Sequence, residues 1–98
     1  MTSEIDDLFE ARARAVGAGD RSSFLSTQVA EIELGSSDGY LVLKELAVEV
    51  LYEHDESDLE KVVLVRETYT RDEASTRSSV VLYYLTHTVA GWRIYRTK

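Results

Sequence analysis

The sequence predicts an α+β fold, with helices first and a long antiparallel sheet after them. Two patterns carry this reading: apolar residues recur at spacings of three and four up to about residue 17, and at a spacing of two beyond about residue 47. A third is length, because 98 residues suffice for one core and one domain, here taken as residues 1–98.

Ser3 is a suitable N-cap, and Asp6 three positions later completes a capping-box-like start with acids at the positive end of the helix dipole. Ile5, Leu8, Phe9, Ala13 and Val16 then form one apolar stripe, and Gly17 and Gly19 allow a stop, so a helix is expected over roughly residues 4–17. Asp20 can cap a shorter second helix that turns Phe24, Leu25 and Val29 toward the core. Ala30, Ile32 and Leu34 alternate with Glu31 and Glu33, the pattern of a short half-buried strand, which the run Gly35, Ser36, Ser37, Asp38, Gly39 ends. Tyr40 to Leu46 fits a short helix or the start of the next strand, and the helix is favoured.

Four strands are expected after that: Ala47–Tyr52, Leu59–Thr70, Ser78–Val89 and Trp92–Thr97, rich in Val, Leu, Tyr and Thr and joined by short polar or Gly-containing turns. They read as an antiparallel meander. Two of them are apolar on both faces at their centres, through Val62, Val63, Leu64 and Val65 and through Val80, Val81, Leu82, Tyr83, Tyr84 and Leu85. Helices cover only one face of a sheet, and a solvated second face would alternate with polar residues, so the second face is expected to meet another molecule. A homodimer through that open face is the simplest solution.

Composition excludes several classes of function. The formal charge of −7, from 18 acidic against 11 basic residues, disfavours binding to nucleic acid and to anionic membranes. There is no Cys, which removes disulfides, thiolate ligands and thiol nucleophiles. No apolar run approaches the roughly 20 residues of a membrane span, and the acidic N-terminus lacks the layout of a secretion signal, so a cytoplasmic protein is expected. No cofactor or metal motif stands out.

In order along the chain, a helix running into Ala18, Gly19 and Asp20, then Phe24 and Leu25, then long strands, then a terminal Gly91, Trp92, Arg93, Ile94, resembles the nuclear transport factor 2-like superfamily, with its ketosteroid isomerase-like and polyketide cyclase-like members. The resemblance implies a cystatin-like cone of curved, mainly antiparallel sheet, closed by the N-terminal helices around a pocket, and dimers formed by sheet faces. It does not imply one activity.

Candidate chemistry is therefore sought residue by residue. An isomerase needs a carboxylate base in an apolar pocket and a proton donor beside it, for which Glu49 and Glu67 are the candidate bases and Tyr52, Tyr69 and Tyr83 the candidate donors. His87 shares a strand face with Tyr83, Leu85 and Val89 and is the one histidine placed to line a pocket; His54 opens the acidic run to Asp58, read as a solvated hairpin loop without calcium-loop spacing. Trp92 shares a face with Ile94 and is read as core or as a pocket wall, while Arg93 and Arg96, on opposite faces unless a bulge intervenes, are read as ion-pair partners of the acids. Of the Tyr83, Tyr84 pair, one ring points to each face.

The register of the last hairpin decides the face of His87. A turn at Ala90 and Gly91 sets Trp92 beside Val89 and puts His87 on the core side, whereas a three-residue turn from Val89 pairs Trp92 with Thr88 and sends His87 outward. The pocket candidates are thus Tyr52, Tyr69, Tyr83, His87 and Trp92. The favoured function is a non-catalytic dimeric domain that binds a small apolar ligand or a protein partner. The alternative is a cofactor-independent isomerase, dehydratase or cyclase acting on a small hydrophobic substrate.

Overall fold

In the computed structural model of the chain, residues 3–29, 40, 42–72 and 75–97 are described. Helix α1 runs Glu4–Ala18, and Ser3 caps it by accepting from the Asp6 amide at 3.1 Å. It passes through Gly17 and ends at Gly19, whose φ of 67° lets its amide reach the Val16 carbonyl at 3.1 Å while the Asp20 amide reaches Ala15 at 2.9 Å. Asp20 then caps α2, Arg21–Leu25, accepting from the Ser23 amide and hydroxyl at 3.1 and 2.6 Å, which holds its carboxyl below the ordinary value.

Phe24 is fully buried, but Leu25 is exposed, against expectation, because a helix of five residues turns only one face inward. The chain beyond α2 is tied to the final strand: the Val29 amide donates to Ile94 and the Ile94 amide to Thr27, at 2.9 and 3.0 Å. The strand expected over 30–34 and the break over 35–39 lie outside the described residues.

The sheet is a meander of β1, Glu45–Ser57, β2, Glu60–Asp72, β3, Ser75–Thr88, and β4, Gly91–Thr97, in the order β1-β2-β3-β4 with every pair antiparallel. The helix favoured over Tyr40–Leu46 does not reach its end. Glu45 and Leu46 are strand because they pair with Thr70 and Tyr69, and tertiary pairing overrides local preference. Residues 53–57, expected as loop, also belong to β1, since Glu53, His54 and Asp55 pair with Val63, Val62 and Lys61 and leave only Asp58 and Leu59 as turn.

The two helices cover one face of this sheet. Ile5, Leu8 and Phe9 of α1 pack on Val63, Val65, Tyr83, Leu85 and Ile94, and Ala15 and Val16 join Phe24 and Leu46 in a second cluster. The other face carries Tyr52, Val62, Leu64, Val80, Leu82 and Tyr84, of which Tyr52 and Val80 are 62% and 52% exposed. Among the described residues, nothing covers it. None of the described helices is long and apolar enough to cross a membrane.

Of the four register shifts among the described residues, at Leu51, Glu56, Arg71 and Tyr95, two move residues named above to another face. Between Val50, opposite Val65, and Tyr52, opposite Leu64, β1 carries the extra residue Leu51, so Tyr52 leaves the inner face that Leu46, Val48 and Val50 occupy. In β4, Tyr95 is the extra residue, which sets Arg93 opposite Thr86 and Arg96 opposite Tyr84, both on the outer side. Neither arginine makes an ion pair among the described residues: Arg93 donates to the Trp92 carbonyl at 2.6 Å, and the Arg96 guanidinium lies 5.1 Å from the Tyr84 ring centroid.

The last hairpin takes neither expected register. Its turn is Val89 and Ala90, Thr88 pairs with Gly91 at φ 108°, and Trp92 pairs with His87.

Candidate functional site

The centre of the concave face is polar. Glu67 follows Val63 and Val65 on the inward-facing positions of β2 and is completely buried. A buried carboxylate without hydrogen-bond donors costs several kcal/mol, by order of magnitude. Here three phenols supply donors: Tyr40 and Tyr69 donate to Oε1 at 2.6 and 2.5 Å, and Tyr83, from β3, donates to Oε2.

Each donor is held by the packing. Tyr83 lies edge-on to Phe9 at 4.9 Å between centroids, and Tyr40 rests between Phe24 at 5.6 Å and Tyr69 at 6.0 Å. The Tyr40 and Tyr83 hydroxyls also approach to 3.3 Å. Burial, with the Glu67 carboxylate nearby, raises the pKa of Tyr40, Tyr69 and Tyr83 well above the ordinary phenol value, so all three keep their protons and remain donors.

Arg12 projects from α1 into the same region and is 1% exposed. Its Nη1 donates to Thr27 Oγ1 at 2.7 Å and to Gln28 Oε1 at 3.0 Å, and its guanidinium stacks 4.0 Å from the Phe24 ring centroid, with Tyr40 at 5.4 Å and Tyr83 at 5.9 Å. Nε has no partner. The guanidinium thus faces the aromatic side of the group whose hydroxyls face Glu67.

Among the described residues, two hollows flank this centre. At one end of the concave face Leu43, Tyr69, Arg71 and Arg77 line a space of about 300 Å³. At the other, a groove of about 340 Å³ runs between α1 and the β3–β4 hairpin, past Leu8, Ala11, Thr27 and Trp92. Only the first shares a residue, Tyr69, with the Glu67 cluster.

The five pocket candidates fall in three places. Tyr69 and Tyr83 meet on Glu67; His87 and Trp92 pair edge-to-face at 5.0 Å beside the groove, His87 exposed and Trp92 half-buried; Tyr52 stands on the outer face. Of the two carboxylates, Glu67 is central, whereas Glu49 is exposed and bonded to Arg66 at 3.0 Å. His54 lies 3.6 Å from Glu56. No group of three or more His, Asp or Glu placed to hold a metal occurs among the described residues.

Arg12 escaped the sequence reading, although a signal was present. It sits where the stripe of Ile5, Leu8, Phe9 and Val16 needs a core residue, so a cation there implies a buried partner set. Tyr40 carried no such signal, because its partner lies 27 residues away.

No protein-family model matches the sequence, and no curated protein matches it. Solved structures do. An NTF2-like protein of unknown function from Shewanella oneidensis MR-1 superposes with a TM-score of 0.79 at 16% identity, over 95% of this chain and 93% of that one. The chain has the nuclear transport factor 2-like fold. A ketosteroid isomerase-like protein from Erwinia carotovora atroseptica gives 0.64 at 16% identity, over 95% and 89% of the two chains. An NTF2-like protein with a cystatin-like fold from Novosphingobium aromaticivorans gives 0.69 at 15%, over 96% and 77%. At such identities the likeness extends to the nuclear transport factor 2-like fold alone, and function has to be argued from the Glu67 cluster and its surroundings.

Proposed function

We propose that the protein is a non-catalytic, dimeric, cytoplasmic domain that binds a small ligand at the mouth of its cone, beside Tyr69. The observation that carries this reading is the closure of Glu67. A general base must come within hydrogen-bond reach of substrate, and this carboxylate is excluded from solvent with three phenols directed at it. The cluster specifies the shape of the cone floor and leaves recognition to its rim.

The dimer is supported by the outer face. Strands of 13, 13 and 14 residues, at about 3.3 Å per residue and about 4.8 Å between strands, offer on the order of 700 Å² with the short β4. That approaches the roughly 800 Å² per partner of a stable interface. Native mass spectrometry tests it: a dimer is expected, with Leu82→Lys giving a folded monomer. A wild-type monomer at micromolar concentration would overturn the dimer.

A second reading, a cofactor-independent isomerase, dehydratase or cyclase, is favoured by one observation: an inward carboxylate surrounded by phenols supplies both a base and proton donors. It requires Tyr40 to swing away from Glu67 when substrate enters. Turnover of a small enolisable ketone that Glu67→Gln abolishes, in a variant that still folds, would establish it over the first.

A further inference from the structure

We infer that the hollow lined by Leu43, Tyr69, Arg71 and Arg77 takes a small organic acid, with its carboxylate on the two guanidinium groups and its apolar body against Leu43 and the Tyr69 ring. The inference rests on the ligand-binding reading above and names the ligand's chemistry.

The argument starts from register. Tyr69 is two residues beyond Glu67 on the inner face of β2 and pairs with Arg77 of β3, so Arg77 emerges on that face; Arg71 is the extra residue of a bulge between Thr70, opposite Thr76, and Asp72, opposite Ser75, and lines the same hollow. Two arginines therefore meet at one end of a concave surface, in a chain that carries a net charge of −7. Acids are plentiful, yet neither arginine takes part in an ion pair among the described residues, whereas Arg66 and Lys61 do. Like charges that line one hollow without a carboxylate repel each other, and an anion between them relieves that repulsion.

The shape of the site selects among anions. A guanidinium presents a planar fork matched to a carboxylate, and a second one raises both charge and geometric selectivity. The volume of about 300 Å³ is at the lower end of the roughly 300–1,000 Å³ span of ligand sites, which limits the occupant to a small molecule. Leu43 and the Tyr69 ring supply apolar surface that an inorganic anion would leave unused. Tyr69 is fixed in place because its hydroxyl is bonded to Glu67, so the wall is formed before ligand arrives. A polyanion such as nucleic acid is disfavoured by the acidic remainder of the surface.

The experiment is a titration of the full chain with benzoate, benzamide and inorganic phosphate, followed by amide chemical shifts and by calorimetry. Benzoate is expected to bind and to move the signals of residues 69–71 and 77. Benzamide, which has the same shape without the charge, and phosphate should each bind at least about tenfold more weakly. Arg71→Gln and Arg77→Gln, both at exposed positions, should each weaken benzoate by about tenfold without changing the thermal midpoint. Benzamide binding as tightly as benzoate would overturn the carboxylate assignment while leaving a ligand site at the cone mouth. Phosphate binding as tightly would overturn the apolar part of it. If none of the three binds, the inference and the ligand-binding reading fall together, whatever the subunit number.

Discussion

Tyr69 and Glu67, two residues apart on the inner face of β2, are joined by a hydrogen bond of 2.5 Å from the phenol to Oε1, so the rim of the cone is linked directly to its buried centre. Tyr83 serves the other oxygen from the neighbouring strand. Tyr83→Phe removes that donor and the 3.3 Å contact with the Tyr40 hydroxyl, while the ring keeps its packing on Phe9. Leaving a buried acceptor unsatisfied costs about 1–3 kcal/mol, which urea denaturation should read as a lower midpoint at unchanged slope.

The same cluster makes the protein sensitive to alkali. Burial above all raises the pKa of Tyr40 and of Tyr83 over the ordinary phenol value of about 10. Below pH 10 both states hold the phenolic protons and stability is full. Above it the unfolded chain loses them while the folded chain does not, so stability falls by about 1.4 kcal/mol per pH unit for each phenol. Denaturation midpoints measured between pH 9 and pH 12 should drop steeply above 10, and Tyr40→Phe should make that drop shallower. An unchanged slope in the variant would contradict the placement of Tyr40.

Arg12 is the cationic counterpart of that cluster. Its hydrogen bonds to Thr27 and Gln28 fasten α1 to the segment paired with Ile94, so the side chain links helix and sheet edge. Arg12→Ala removes a charged donor from two buried acceptors and a cation from the Phe24 ring, a loss on the order of 2–4 kcal/mol. Arg12→Lys should recover less than half of it, since an ammonium lacks the planar fork and the stacking surface. Thermal unfolding of the two variants side by side checks this.

The fold was legible where local pattern and tertiary pairing agree. Ser3, Gly19 and Asp20 mark real helix ends because capping is local chemistry. Glu67, one of the two candidate bases, shares a face of β2 with Tyr69 and the buried valines because that strand runs unbroken through its centre. Legibility failed at Tyr52, Arg96 and the Val89–Ala90 turn, each set by a bulge or register that only the partner strand decides. It failed differently at Arg12 and Tyr40, whose roles depend on partners far away in sequence. The arginine pair at the cone mouth combines both causes, since Arg71 and Arg77 meet only through the β2–β3 register.

The bulge at Leu51 can itself be tested. Without it, Tyr52 would continue the inward row of Leu46, Val48 and Val50 and replacing it would open a cavity, at about 3–5 kcal/mol for a buried aromatic. With it, Tyr52 is 62% exposed beside Leu64 on the outer face. Tyr52→Ser should therefore change the stability of the isolated chain by no more than about 0.5 kcal/mol, the usual range for surface substitutions. Placed on the Leu82→Lys background, where the proposed dimer is absent, it should be silent in urea denaturation. On the wild-type background it should weaken self-association by several-fold, because a half-exposed aromatic in the proposed interface loses its contact. Sedimentation across a concentration series separates the two effects, and a large loss of stability in the monomeric background would mean that Tyr52 points inward.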